Sequence, residues 1–313
     1  MGFKEIGGYF ELERFSGSLY HEGALGLSCG RACIEYLLKQ KNIKKIALPL
    51  FNCDVVAESC RAAGASIRYY RVGKDFKPAH IELMPDEWLY VVNFYGQLEE
   101  EYLLGLKEKF SRLIVDNSHA YFNRPLPGVD TLYTCRKFLG VPDGGFLYTD
   151  APKAELQRDI SYERMNFVLG RFEKGAGEFY AEASQNNDSF SGMPPKAMSA
   201  LTENLLRAID YESVKRKRSE NYLHLHEALK DINLLKLRSV EAAYAYPLML
   251  DNAAEIRKKL ISEKIFVPTL WPNVLHDAPK GSAEYELTAK LLPLPCDQRY
   301  DAADMERIIS FLK

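Results

Sequence analysis

Two short segments carry residue types that can do chemistry together. In Thr134-Cys135-Arg136-Lys137-Phe138-Leu139-Gly140-Val141-Pro142-Asp143-Gly144-Gly145 a lysine stands at the end of a short strand. Twenty-one residues upstream, the apolar run Leu113-Ile114-Val115 ends in Asp116-Asn117-Ser118-His119-Ala120. A partly desolvated lysine is neutral enough to hold an aldehyde as a Schiff base. An ionised aspartate beside a pyridine-type nitrogen favours its protonated form and keeps the ring an electron sink. Alone, a lysine at a strand end is usually solvated, and an aspartate after a strand usually caps the next helix. The pair points to pyridoxal 5'-phosphate (PLP) as cofactor. Gly144-Gly145 permits close backbone approach before a strand and Pro142 stiffens the turn before it, so Lys137 gains a rigid junction. Asp116 emerges at the carboxyl end of a central strand, where ligands of open α/β sheets bind.

Further candidates surround this pair. His119 lies three residues after Asp116 and is placed near the cofactor ring or its phenolic oxygen. Ser28-Cys29-Gly30-Arg31-Ala32 opens a helix, and a glycine turn there presents free N–H groups and a positive dipole end to a phosphate. An ordinary capped helix is the competing account. Arg31 adds a guanidinium suited to phosphate oxygens, and Thr134 adds a hydroxyl. After another strand, Phe51 or Cys53 stands against the cofactor face, although an aromatic at a strand end is more often core. Asn93 and Tyr95, in Asn93-Phe94-Tyr95-Gly96-Gln97, are expected to face substrate. Val267 to Pro272 lines the substrate mouth, with Trp271 either there or in the packing. The basic run Lys215-Arg216-Lys217-Arg218 reads as a solvated helix face.

The elements that must position these residues form an α/β chain with a mostly parallel sheet covered by helices. Strands are expected at 46–50, 67–70, 89–94, 113–115, 131–133 and 145–148, several of them apolar throughout, as helices on both faces require. Helices fit at 31–40, 55–63 and 102–110, and Ala63-Gly64-Ala65 reads as a helix stop. Residues 151–180 have a helical texture. The polar stretch from Gln185 to Pro194-Pro195 reads as a loop, and a long helix is expected from Lys196 towards Leu229. The last third reads as a small α+β lobe. The domain boundary is placed between a large cofactor-binding unit, 1–210, and a small C-terminal unit, 211–313.

At 313 residues the chain can bury a large core. With 41 basic and 43 acidic residues the formal charge is −2, which lacks the basic surplus expected of a nucleic-acid partner. No apolar run approaches the roughly 20 residues of a membrane span, and Met1 to Gly8 lack a signal-peptide pattern. A cytoplasmic protein is expected. The six cysteines (Cys29, Cys33, Cys53, Cys60, Cys135, Cys296) form no CxxC pair, so no metal site is expected.

Taken in order, these motifs resemble the DegT-type sugar aminotransferases, which are fold-type-I PLP enzymes. The resemblance covers most of the chain: Gly30 to Ala32, Pro49 with its following helix, Tyr95-Gly96-Gln97, Asp116 to Ala120, Lys137 to Gly145, and Leu292-Pro293-Leu294-Pro295. It implies a homodimer with the active site at the interface. It also implies transfer of an amino group from glutamate to a keto sugar, carried on a nucleotide or another carrier, for amino-sugar and polysaccharide synthesis. By resemblance, Lys137 binds the aldehyde and then moves the proton, Asp116 holds the ring nitrogen and His119 lies by the ring. Gly30, Arg31 and Thr134 serve the phosphate. The chain departs from the family pattern at Arg31, where threonine is usual, and at Asp143, where glutamate is usual. The Asn-x-Arg element that commonly precedes the long helix is not recognisable. Two alternatives stay open: a PLP enzyme with another reaction type, and a non-catalytic binding or regulatory protein of the same fold. Sugar dehydratases of the family carry histidine at the lysine position, so Lys137 argues against that version.

Overall fold

A computed structural model describes residues 6–312; Met1 to Glu5 of the amino-terminal stretch and Lys313 lie outside it. The sheet is built from β1 (Leu25–Leu27), β2 (Lys45–Pro49), β3 (Ser66–Val72), β4 (Pro78–Ala79), β5 (Glu87–Val92), β6 (Leu113–Asp116), β7 (Asp130–Thr134) and β8 (Gly145–Tyr148). Its order is β1-β8-β7-β6-β5-β2-β3-β4. From β3 through β2, β5 and β6 to β7 every pairing is parallel. β8 runs antiparallel to both β7 and β1, and β4 antiparallel to β3. All residues of β6 and β7 are buried, as apolar strands covered on both faces should be.

This topology fixes where the chemistry gathers. The parallel strands β5, β6 and β7 end together, at Val92, Asp116 and Thr134. Because β8 is antiparallel, its first residue, Gly145, pairs with both Thr134 and Leu27. The end of β1 and the start of helix α1 (Gly30–Gln40) therefore lie on that same edge. The double glycine makes the approach possible. A Cβ on Gly145 would stand 2.9 Å from the Cys29 carbonyl carbon and 3.0 Å from Cys33 Sγ. Gly144 sits at φ +115°, a conformation closed to other residues, and its N–H donates to Ser28 O at 2.6 Å.

Helices α2 (Asp54–Ala62) and α3 (Glu100–Lys109) follow the expected positions. The middle of the chain does not. Residues 151–180 are largely irregular around one short helix, α4 (Asn166–Glu173), and α5 (Tyr180–Asp188) runs into the polar stretch expected to be a loop. The long helix expected from Lys196 is two, α6 (Ala200–Leu206) and α7 (Tyr211–Leu229), each with its own cap. The Ser199 side chain accepts from Thr202 N–H, and that of Asp210 from Ser213 N–H. Arg218, expected on a solvated face, is 1 % exposed.

The last third forms β9 (Tyr246–Met249), α8 (Ala253–Ser262), α9 (Val274–Asp277), α10 (Ala283–Lys290), β10 (Leu291–Leu294) and α11 (Ala302–Ser310). β9 and β10 pair antiparallel. One apolar cluster joins them to α7, α8 and α11 through Tyr222, Leu225, Tyr246, Leu260, Leu292, Met305 and Ile308. Among the described residues no helix is long and apolar enough to cross a membrane, and no group of three or more His, Cys, Asp or Glu side chains is placed to hold a metal ion.

Candidate active site

Lys137 stands three residues past the end of β7, in the turn before β8. Its Nζ lies 2.9 Å from His119 Nε2 and 5.3 Å from the centre of the Tyr244 ring. Burial holds its amine below the usual lysine pKa, against the opposing pull of the Asp116 carboxylate and the Cys53 thiol. His119 is 1 % exposed, and burial, with Lys137 beside it, holds its pKa well below the ordinary value. The imidazole is thus neutral, and its Nδ1 has no hydrogen-bond partner. Two rings clasp it: Tyr244 at 4.3 Å and 19°, and Trp271 at 5.7 Å and 22°. Both come from the last third of the chain.

Asp116 ends β6 and is 5 % exposed. Tyr90 donates its hydroxyl to Oδ2 at 2.6 Å, and the Ser118 N–H donates to Oδ1 at 2.7 Å. Each carboxylate oxygen accepts more than one bond, so the pair orients the group without exhausting it.

At the start of α1, Cys29 provides no side-chain cap, which leaves first-turn N–H groups for a ligand. A Cβ on Gly30 would fall 3.9 Å from Thr134 Cβ and 4.0 Å from Ser118 Oγ. Glycine therefore opens a small cradle between two hydroxyl-bearing residues. Arg31 turns towards α5, where its Nη2 donates to Asn187 O at 3.0 Å and Oδ1 at 3.2 Å.

The other sequence candidates fall into layers. Phe51 is fully buried behind the site, 5.1 Å from Phe94 and edge-on to Trp271 at 5.1 Å. Cys53 is half-buried, within electrostatic reach of Lys137. Tyr95, in the left-handed region at φ +54°, lies 5.2 Å from His119 with its hydroxyl buried and unpartnered. Asn93 is fully buried: its Nδ2 donates to Asn117 Oδ1 at 3.2 Å, and its Oδ1 accepts from Leu98 N–H at 2.9 Å. Its amide builds the turn that presents Tyr95. Trp271 is 8 % exposed, and its loop is tied down by Asn273 Nδ2 donating to Asn52 O at 3.1 Å. Three residues near the site were not legible as such in the sequence. Ser118 carried a local signal, lying between Asp116 and His119. Tyr244 and Arg136 carried none, because only the tertiary fold brings the one onto His119 and sets the other over the Phe190 ring.

No protein-family model matches the chain, and no curated protein matches it in sequence. Solved structures do match in fold. A DegT DnrJ EryC1 StrS aminotransferase from Brucella abortus is 15% identical, with TM-score 0.62 over 93% of this chain and 85% of that one. DesV of S. venezuelae is 16% identical, with TM-score 0.65 over 92% and 83%. Helicobacter pylori PseC, an aminotransferase involved in the biosynthesis of pseudoaminic acid, is 15% identical, with TM-score 0.63 over 92% and 85%. Likenesses this extensive at such low identity establish architecture: the chain has the fold-type-I architecture of the DegT/DnrJ/EryC1/StrS aminotransferases.

Proposed function

We propose that the chain is a PLP-dependent aminotransferase that moves an amino group from an amino acid, glutamate being the expected donor, to a keto sugar borne on a nucleotide or another carrier. The observation that carries the proposal is the meeting of Lys137 Nζ and His119 Nε2 at 2.9 Å, on the sheet edge where Asp116 ends its strand. The residues present fit the cofactor. The cradle at Gly30, between Thr134 and Ser118, suits its phosphate. The unpartnered buried atoms His119 Nδ1 and Tyr95 Oη suit a polar ligand. When bound, PLP would supply an aldehyde and a ring able to accept electrons.

The chain's own groups then have distinct tasks. Burial keeps Lys137 Nζ available as a neutral amine, able to take a proton from the donor's Cα and deliver it to the carbon that the bound cofactor would present. Tyr90 and the Ser118 N–H hold Asp116 in place, where its carboxylate would accept from the protonated ring nitrogen of a bound cofactor. Neutral His119, fixed between Tyr244 and Trp271, orients Lys137 Nζ, and the two aromatic rings exclude water. We further infer a large unit, 1–210, that holds the cofactor, a small unit, 211–313, that supplies the two covering rings, and a cytoplasmic homodimer. Exposed apolar side chains support the dimer: Ile160, Tyr162, Leu169, Phe172 and Tyr180 all stand more than half out of the monomer surface.

The test is spectroscopic. Protein supplied with PLP is expected to show a yellow chromophore that borohydride fixes covalently, with the modified peptide containing Lys137. Lys137→Ala should abolish both, and added glutamate should bleach the wild-type chromophore. An unchanged spectrum in Lys137→Ala would remove the lysine from its role; no bleaching with any amino donor would remove the aminotransferase reaction.

A further inference from the structure

Two apolar surfaces of this chain lack a cover, and both are rooted on α6. The first is the stretch 6–12, which has no regular secondary structure. Its Ile6, Tyr9 and Phe10 are each at least 95 % exposed, and Leu12 stands half out. The stretch is nevertheless fixed at its base. Phe15 N–H donates to Asn204 Oδ1 at 2.9 Å, Asn204 Nδ2 donates to Glu13 O at 2.8 Å, and Arg207 Nη1 donates to Gly17 O at 3.1 Å. A Cβ on Gly17 would stand 2.2 Å from Arg207 O, so only glycine lets the chain lie this close to the helix end. Rings left in water on an anchored segment contribute nothing to the stability of a single chain.

The second surface is the stretch 160–180, where Ile160, Tyr162, Leu169, Phe172 and Tyr180 are exposed. Its start is tied to the same helix. Asp159 N–H donates to Ala197 O at 2.9 Å, Ser161 Oγ donates to Ser199 Oγ at 2.7 Å, and Arg158 pairs with Glu203. Glu203 pairs in turn with Arg207 at 3.3 Å, so the two roots adjoin. Within one chain neither surface covers the other, since both keep these exposures.

We propose that residues 6–12 form an arm received by a second copy of this chain, Tyr9 and Phe10 packing on the stretch 160–180 of that copy in a reciprocal exchange. The exchange rests on the homodimer inferred above and names the segment that closes it. The chain carries both halves of the contact in equal number, which favours a second copy over a foreign partner. Their adjoining roots suit an isologous interface, in which one two-fold axis beside α6 sets each arm across from the other copy's stretch. Reach and area are sufficient. Seven extended residues span about 23 Å. Tyr9, Phe10, Tyr162, Phe172 and Tyr180, at about 150 Å² each and counted on both copies, bring roughly 1,500 Å², the size of a stable interface.

Self-association is measured by analytical ultracentrifugation on wild type, Tyr9→Ser/Phe10→Ser, Phe172→Ser and their combination. The three changed side chains are more than nine-tenths exposed, so the variants should keep the wild-type circular dichroism. Each change should weaken the dimer by about 10- to 100-fold. Because the two surfaces touch, the combination should be little weaker than the weaker of its parents. Position is read by mixing Tyr9→Cys protein with Phe172→Cys protein and adding a short bismaleimide. A covalent dimer should form in the mixture and not in either protein alone. Unchanged association in both variants, losses that simply multiply, or a mixture that crosslinks no better than its components would overturn the proposal. So would a Tyr9→Cys/Phe172→Cys chain that crosslinks to itself as a monomer, which would make the arm an internal cover. A wild type that stays monomeric would remove the exchange and the dimer together, while glutamate bleaching would still uphold the reaction. Bleaching absent from an intact, arm-linked dimer would remove the reaction and leave the exchange standing.

Discussion

At the scale of single residues, the balance on Lys137 is between burial, which lowers its pKa, and Asp116, which raises it. Only the neutral amine attacks an aldehyde, so the rate of PLP capture should rise with pH through the Lys137 pKa. Asp116→Asn removes the carboxylate that favours the ammonium form. The rate–pH curve should therefore move to lower pH, and a curve that stays put or moves up would show the two groups uncoupled. The sign for stability follows from the same shift. With the folded pKa below the unfolded one, the unfolded chain takes up the proton first as pH falls, so between the two values this group increasingly opposes folding. Lys137, Asp116 and Gly30 were legible in sequence because their local setting gave them away: a lysine before a double glycine, an aspartate ending an apolar run, a glycine opening a helix. Arg31, read as a phosphate ligand from its place at the helix start, also bonds Asn187, 156 residues away, a contact that no local pattern encodes.

At the scale of elements, the helix break between α6 and α7 shows how a correct pattern can mislead. Leu201, Leu205, Leu206 and Ile209 keep helical spacing through the break, whereas the Asp210 cap is the signal that divides it and the Ser199 cap sets where α6 begins. Asp143 explains the position of α6. It is fully buried, and its carboxylate accepts from Ser199 N–H at 2.8 Å, Ser199 Oγ at 2.7 Å and Thr202 Oγ1. The residue before the double glycine thus anchors a helix 56 positions later, and through it the turn that carries Lys137. Asp143→Ala strands three buried donors and should destabilise the protein by about 3 kcal/mol. Ser199→Ala, which removes a cap but leaves the Ser199 N–H bonded to Asp143, should cost about 1 kcal/mol. Urea unfolding of both variants checks the order; equal losses would show that the carboxylate does no more than the cap.

At the scale of the whole molecule, the site depends on the last third of the chain lying against the sheet edge, and Arg218 is the tie. The sequence placed it in a basic run on a helix, and three of four such residues do stay near solvent; burial of the fourth follows only from what α7 packs against. Its Nη2 donates to Phe138 O at 3.1 Å, in the Lys137 turn, and its Nη1 to Ala243 O at 2.9 Å, next to Tyr244. Its Nε donates to Gln298 Oε1 at 2.7 Å, and Gln298 Nε2 in turn donates to Phe138 O at 2.7 Å. One buried guanidinium thereby joins the lysine turn, the ring that stacks on His119 and the segment before α11. Arg218→Met keeps most of the volume but loses three charge-assisted bonds, and should cost about 2–3 kcal/mol. The loss should also be visible as uncoupling. The chain has two tryptophans, Trp88 in β5 and Trp271 against His119, so in a Trp88→Phe background the emission reports only whether the last third is docked on the site. With Arg218 present, Trp271 emission and far-ultraviolet circular dichroism should change together on urea unfolding, as a single cooperative unit requires. In Arg218→Met the Trp271 transition should come at lower urea than the loss of secondary structure. Coincident transitions in the variant would mean that Arg71–Glu284, Gln97–Arg238 and the remaining contacts across the same boundary hold the two parts together without it.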